Sequence, residues 1–440
     1  MKRSFIKKKK RKIIYCGLSA DILHEGHINI LKRASKFGEV VVGLLTDEAI
    51  ASFKKLPHLS YRQREIVLKN IKFVDRVIPQ TTLDYRSNLI KLKPDYVIHG
   101  DDWKTGVQKK IRKQVVQTLK KWSGKVIEPK YTKNISSTKI REKIFAVGTS
   151  PDTRRSKLKR LVEAKKIVRV LESHSALTGL IIENLKLTHG QQFLEFDCMW
   201  SSSLTDSALK GKPDNQSVDY SARILGLNEM LDVTTKPIIF DADNGGRVEH
   251  LPYLVKNLER SGVSGIIFED KIGLKKNSLF KNQTGVKQDS IKNFCKKLQT
   301  ATTSKISSDL FIVARIESFI LGKNLQDAIK RAEAYSRAGA DAILIHSKEK
   351  NPNQIFSFSK KFLKSKYYKP LIAVPSSYSK TYENDLVKNG FKIVIYANHL
   401  LRASYPAMEE VAKSILKNQR SFEAEKKISP IKEVINLISS

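Results

Sequence analysis

The stretch GIIFEDKIGLKKNSLF, residues 265–280, decides the fold. Gly265–Phe268 reads as the buried run of a strand, and Glu269, Asp270 and Lys271 follow at once. A polar segment comes next, Lys275, Lys276, Asn277 and Ser278, too irregular for one face of a helix. Such a strand end is either a solvated turn or one member of a ring of polar strand ends. The other apolar runs of the chain decide between the two.

After residue 157 the runs are IVRVLESHS, QFLEFDCMWSSS, PIIFDAD, GIIFEDK, LFIVARIES, ADAILIHS, PLIAVPS and KIVIYANH. Each passes from apolar into polar residues and is followed by a helical segment. Eight such alternations meet the requirement of a TIM-type (β/α)8 barrel, whose sites gather at the carboxyl ends of its strands. Glu269, Asp270 and Lys271 then join Ser202, Asp241, Asp243, Arg315, Glu317 and His346 around one mouth.

Ahead of that region KIIYCGL, EVVVGLLT, VDRVIP, PDYVIHG and KVIEP read as strands, with HINILKRASKFG and YRQREIVLKNI as helices between them. The pattern predicts a compact open α/β sheet with its ligand beyond the strand ends. Val147–Lys157 holds Gly, Pro, Thr and Ser without an apolar period and reads as a linker. The expected organisation is a basic tail at 1–11, a first domain at 12–146, the linker at 147–157 and the barrel at 158–440. Two domains suit a chain of 440 residues.

The formal charge is +37, which suits a polyanion partner or, more plainly, a lysine-rich surface and small phosphorylated substrates. The one dense basic run, Lys7–Lys12, sits at a terminus without a recognition motif, so nucleic acid is not the expected partner. No apolar run reaches the roughly 18 residues of a membrane span, and no signal peptide opens the chain. Cys16, Cys198 and Cys295 have no ligand or disulfide spacing, so a reducing cytoplasm is the simplest setting.

Asp241, Asp243 and Glu269 put three carboxylates around the barrel mouth, where like charges repel unless a cation lies among them; oxygen-only ligands favour Mg²⁺. Arg315 and His346 suit an anionic, phosphorylated ligand. The segments FEDKIGLKKNSL, DAD, ARIES and LIHSK resemble phosphoenolpyruvate mutase, of the isocitrate lyase superfamily, from Ser156 to about Glu433. Relatives that cleave C–C bonds carry a loop cysteine where this chain has Lys275–Ser278, and Cys295 lies in a helical pattern beyond it.

The resemblance implies that Asp241 is the Mg²⁺-side carboxylate, with Asp243 and Glu269 acting through water. It implies that Trp200, Ser202, Ser203 and Leu204 line the pocket, with Ser202 and nearby backbone N–H groups on the substrate carboxylate. Arg315 and His346 are expected to grip the moving phosphoryl group. Asp214 is a further expected site residue, and Lys275–Leu279, with Ser278, a gating loop contributing Asn277. Phosphonopyruvate hydrolase shares much of this pattern, so a hydrolase outcome stays open beside the mutase one.

GLSADILHEGHINIL places His24 and His27 three residues apart at a helix start, where the dipole and free N–H groups favour anions; Gly26 lets a phosphate approach the backbone. With HGDDW at 99–103 and ISSTKIRE at 135–142, it resembles the glycerol-3-phosphate type of cytidylyltransferase, a Rossmann-like nucleotidyltransferase. The resemblance implies that His24 and His27 stabilise the α-phosphate of CTP, the co-substrate, and that Asp21 orients them. Asp101, Asp102 and Trp103 are expected near the nucleotide, and Ser136, Ser137 and Thr138 on its phosphates. Arg64, with Lys54 or Lys55, is expected as a charge clamp. Tyr131 and Asn134 stand where the family has arginine and glycine, with Lys133 a substitute charge, and a nucleotide-binding scaffold without turnover is the alternative.

Together the halves resemble the bifunctional enzyme of fosfomycin-type phosphonate biosynthesis. The resemblance implies phosphoenolpyruvate, phosphonopyruvate, CTP and a phosphonate such as 2-hydroxyethylphosphonate as substrates, and a homo-oligomer, dimer or tetramer.

Overall fold

The computed structural model describes residues 11–104, 108–130, 149–189, 192–273, 275–280 and 282–437. The chain divides into two compact units, Met1–Lys166 with Leu185–Glu195, and Ile167–Asn184 with Phe196–Ser440.

The first unit holds the five expected strands: β1 (Ile13–Leu18), β2 (Glu39–Leu45), β3 (Arg76–Gln80), β4 (Tyr96–Ile98) and β5 (Lys125–Ile127). They form one parallel sheet in the order β3-β2-β1-β4-β5. Val40, Val41 and Val42 are wholly buried, so β2 reads as a continuous apolar run rather than an alternating one. The strand order reverses between β1 and β4, which opens a crevice beyond their carboxyl ends.

The expected linker is corrected. Pro151–Ala164 is a helix, with Pro151 in its first turn and the Ser150 hydroxyl accepting from the Thr153 N–H at 3.3 Å. Leu158, Leu161 and Val162 are buried, and Arg160 donates to the carbonyls of His58 (2.9 Å) and Leu59 (3.3 Å). Arg160 also pairs with Asp47 at 3.3 Å. The apolar positions begin only at Leu158, past the stretch that lacked them. Val147 and Gly148 lie outside the described residues, as do residues 1–10 of the basic tail.

In the second unit the strands are β6 (Val168–Glu172), β7 (Cys198–Ser201), β8 (Ile238–Asp241), β9 (Gly265–Glu269), β10 (Phe311–Ile316), β11 (Ala342–Ile345), β12 (Leu371–Ala373) and β13 (Phe391–Tyr396). They close into a parallel barrel in chain order, β13 pairing with β6. The run expected as QFLEFDCMWSSS splits: Gln192–Leu194 pairs with Leu187–His189 in a separate ribbon, and only Cys198–Ser201 enters the barrel. Parallel register sets Glu269 beside Arg315 on neighbouring strands. Cys295 is half-buried in the helix Ile291–Ser304.

The helix His399–Asn418 contains no buried residue and exposes Tyr405, Met408 and Leu416. Among the described residues no helix is long and apolar enough to cross a membrane.

Candidate active sites

The barrel mouth holds a cavity of about 50 Å³. Trp200 from β7, Ser202–Leu204 behind it, Asp241 from β8, Glu269 from β9, Arg315 from β10 and His346 after β11 line it. Asp214 and Lys275–Leu279 close over it, and of the residues expected around the mouth only Asp243, Asp270 and Glu317 are absent from the lining. Asp243 stands just behind, 4% exposed, its backbone in the left-handed region (φ +50) that a short acidic side chain tolerates better than most. Lys271, Val374, Ser376, Ala397 and Asn398 complete the wall; of these only Lys271 was expected at the mouth.

Lys275 is the hub of the closure. Its ammonium donates to Asp214 Oδ1 at 2.6 Å and contacts Asp243 and the Ser203 hydroxyl. Burial opposes its charge, but Asp243, Asp241 and Asp214 hold its pKa above the ordinary lysine range. Asn277 Nδ2 donates to the other Asp214 oxygen at 3.1 Å. The Ser278 hydroxyl donates to Glu317 Oε2 at 2.5 Å and accepts from Arg315 and Lys271, each at 2.8 Å.

On the opposite flank Arg315 Nε donates to Glu317 Oε1 at 2.6 Å, and its NH2 group lies 2.9 Å from His346 Nδ1. Burial and the Arg315 charge lower the His346 pKa, so the imidazole is neutral. Burial alone would raise Glu317, yet Arg315, Lys271 and His346 hold it well below the usual range. Beneath the mouth the buried Arg223 donates to Asp206 (2.8 Å) and to the Asp241 carbonyl (2.6 Å), fixing the β7 and β8 ends; neither residue stood out in the sequence.

The carboxylates fit a hard divalent cation in kind. Asp206, Asp214, Asp241, Asp243, Glu269 and Glu317 face four fixed cations, Lys271, Lys275, Arg223 and Arg315, so the carboxylates outnumber the cations by two. Burial pushes Glu269 up to about 7, with Lys271 and Arg315 opposing the rise, and also raises Asp243. Burial is outweighed at Asp241, where Lys275, Arg315 and Arg223 depress the pKa. Among the described residues no three acidic, His or Cys groups already stand at metal-ligand spacing, because Lys275 occupies the space between Asp214 and Asp243.

In the first unit a cleft of about 770 Å³ opens at the β1/β4 reversal. His24 caps the helix Glu25–Ala34; its Nδ1 accepts from the Gly26 N–H at 3.2 Å, and His27 Nδ1 accepts from the His24 N–H at 3.4 Å. Each ring thereby carries its proton on Nε2. Burial lowers both pKa values, and that of His27 falls to about 4 with help from His24 and Lys54. The pair is neutral here, a pair of N–H donors rather than two cations. Gly26, Lys54, Asp102 and Trp103 also line the cleft.

Three expected nucleotide contacts stand elsewhere. Arg64 is fully buried and spends its guanidinium on Asp47 (2.6 Å) and the carbonyls of Ser19 (2.5 Å) and Leu59 (3.2 Å), so it ties loops together instead of clamping phosphate. Asp21 accepts from the His58 N–H at 2.6 Å and so holds that segment. Asp101 is not in the cleft wall, its N–H donating to the Pro129 carbonyl at 3.2 Å. Trp103 keeps one edge in the cleft, stacks on His99 at 4.2 Å and donates to Glu128 at 2.6 Å. Ser136, Ser137 and Thr138, with Tyr131, Lys133 and Asn134, lie outside the described residues.

Residues 158–416 match the family model described as Phosphoenolpyruvate phosphomutase, and residues 14–143 the one described as Cytidylyltransferase-like. The chain is 35% identical over 283 residues to phosphoenolpyruvate phosphomutase of Tetrahymena pyriformis (64% of this chain, 90% of the relative). It is 30% identical over 289 residues to phosphonopyruvate hydrolase of Variovorax sp. strain Pal2 (65% and 94%). Its first part is 35% identical over 136 residues to glycerol-3-phosphate cytidylyltransferase of Bacillus subtilis (30% and 97%). The solved phosphoenolpyruvate phosphomutase of Streptomyces platensis subsp. rosaceus superposes with a TM-score of 0.59 at 31% identity, covering 64% of this chain and 94% of that one.

Proposed function

The chain belongs to the phosphoenolpyruvate phosphomutase family and carries a cytidylyltransferase-like domain ahead of its barrel; from that premise we propose a bifunctional enzyme of phosphonate synthesis. The barrel interconverts phosphoenolpyruvate and phosphonopyruvate. The first domain transfers CMP from CTP to a phosphonate formed later, such as 2-hydroxyethylphosphonate. The exposed apolar residues of His399–Asn418 support self-association of the chain.

The observation that carries the mutase reading is the closed mouth. Moving a phosphoryl group from the enol oxygen to C3 needs neutralised charge and fixed fragments, and it must exclude water, which would capture the migrating group. Lys275, Asn277 and Ser278 are each tied down over the cavity by Asp214, Glu317 and Arg315. Arg315 and the neutral His346 grip the phosphoryl oxygens, while Ser202 and the backbone N–H groups after it hold the carboxylate. Asp241, with Asp243 and Glu269, would hold Mg²⁺, which would supply positive charge to offset the substrate anion.

In the first domain, the Nε2–H groups of His24 and His27 face the cleft and donate to charge that develops as pyrophosphate leaves. The experiment is ³¹P NMR of the protein with Mg²⁺, CTP and a phosphonate panel. Phosphoenolpyruvate formed from phosphonopyruvate, and a CMP-phosphonate with pyrophosphate, are the expected signals. Release of pyruvate and phosphate instead would make the barrel a hydrolase, the activity named for the Variovorax relative. CTP binding without pyrophosphate would leave the first domain a scaffold.

A further inference from the structure

Two polar atoms in the barrel cavity have no use in the reading above. Asn398 is 7% exposed and Trp200 4%, both line the cavity, and neither Asn398 Oδ1 nor Trp200 Nε1 has a hydrogen-bond partner among the described residues. Buried polar atoms are nearly always paired, so each unpaired one calls for a reason.

Asn398 makes the case sharper because of where it stands. It is the N-cap residue of the helix His399–Asn418, the position at which asparagine ordinarily turns its side chain onto the first N–H groups of the helix. No such bond forms here. The Leu400 N–H is satisfied instead by Glu172 Oε2 at 3.1 Å, reaching across from the end of β6. Glu172 takes over the cap and leaves the Asn398 carboxamide to the cavity.

We propose that Asn398 is a substrate-binding residue whose carboxamide, released from capping by Glu172, holds the phosphonate group of phosphonopyruvate. The position in the ring decides which end of the substrate it meets. In the closed order β13 lies diametrically opposite β9, which carries Glu269. The wall there, Val374, Ser376, Ala397 and Asn398, bears no charge. In this proposal Asn398 adds one bond from that wall to a phosphonate whose other oxygens Arg315 and His346 hold. A carboxamide offers a donor and an acceptor without opposing either state of the anion.

This inference rests on the barrel reading above, and its test separates the two. With phosphonopyruvate as substrate and oxalate as an inhibitor lacking the phosphonate, Asn398→Ala should raise KM about 10- to 100-fold, the worth of one bond to a charged group. Inhibition by oxalate and the melting temperature should stay at the wild-type values. Asn398→Asp should be worse than Ala, because its charge repels the phosphonate. A capping role predicts the reverse order, since aspartate caps a helix as well as asparagine and suits its dipole. An Asp variant with wild-type KM, or parallel losses of oxalate and phosphonopyruvate binding, overturns the inference while leaving the barrel reading in place. Wild-type protein that does not consume phosphonopyruvate overturns both.

Discussion

Lys275 Nζ lies 2.6 Å from Asp214 Oδ1, and the same carboxylate accepts from Asn277 through its other oxygen. One aspartate thus holds two of the loop side chains that cover the barrel mouth. Asp214→Ala should lower phosphonopyruvate turnover by about 10- to 100-fold, as expected for loss of charge-assisted bonds. It should also shift product from phosphoenolpyruvate toward pyruvate and phosphate. Quantifying both products by ³¹P NMR checks this; an unchanged product ratio would show that the closure does not exclude water.

Asn277→Ala leaves Lys275 on Asp214 and removes only the second tie. Migration should slow about 10-fold or more with the fold unchanged, read as kcat alongside the far-ultraviolet circular dichroism spectrum. A loss confined to KM would place Asn277 in ground-state binding instead.

Removal of divalent metal should abolish barrel activity, as should Asp241→Ala, because two excess negative charges then face the substrate carboxylate. The assay runs in the downhill direction, phosphonopyruvate to phosphoenolpyruvate, with and without chelator. Full activity in chelator would refute the assignment of Asp241, Asp243 and Glu269.

The histidine pair gives a pH dependence of definite sign. His27 has a folded pKa of about 4, below its ordinary 6.5, so the unfolded chain binds more protons in that window. Stability contributed by the neutral ring is present above 6.5 and is lost as pH falls toward 4. The loss is on the order of 2–3 kcal/mol if no other group compensates. Melting curves of the first domain from pH 7 to pH 4 should show this slope, flattened in His27→Gln. At neutral pH, alanine at His24 or His27 should cost about 100-fold in CMP transfer. Arg64→Ala should instead cost about 1–3 kcal/mol of stability, because the Ser19 and Leu59 carbonyls lose their donor while Asp47 keeps Arg160.

The helix Pro151–Ala164 makes a prediction about cutting the chain. A fragment ending after residue 166 should melt cooperatively, whereas one ending at 150 loses the buried Leu158, Leu161 and Val162 and the Arg160 bonds. Three apolar side chains at about 1.5–3 kcal/mol each exceed half of an ordinary domain's stability. Comparable melting temperatures for the two fragments would return that helix to the role of a linker.

All the barrel strands were legible because a strand covered on both faces is a continuous apolar run, and its polar end marks the mouth. Asp241, Glu269, Arg315 and His346 were found by that rule. The rule says where a polar side chain begins, not what it reaches. Arg64 looked like a ligand of a phosphate, yet its bonds go to Asp47 and to the carbonyls of Ser19 and Leu59. Asn398 failed in the opposite sense: Asn before a helix reads as a cap, and only Glu172, distant in sequence, frees it. The linker was misread because Val147–Lys157 stops one residue short of the first buried leucine of its helix.

The barrel cavity, about 50 Å³ in this form, lies under the ties of Lys275 and Asn277 to Asp214. Where those ties must break to admit substrate and to free product, opening is a step of every catalytic cycle. That makes the barrel a timed device: its turnover frequency cannot exceed the rate at which the ties over the mouth break, commonly a microsecond-to-millisecond event. Drag on the loop from a viscous solvent then becomes part of the rate, and the chemistry inside can be faster than anything a steady-state assay registers.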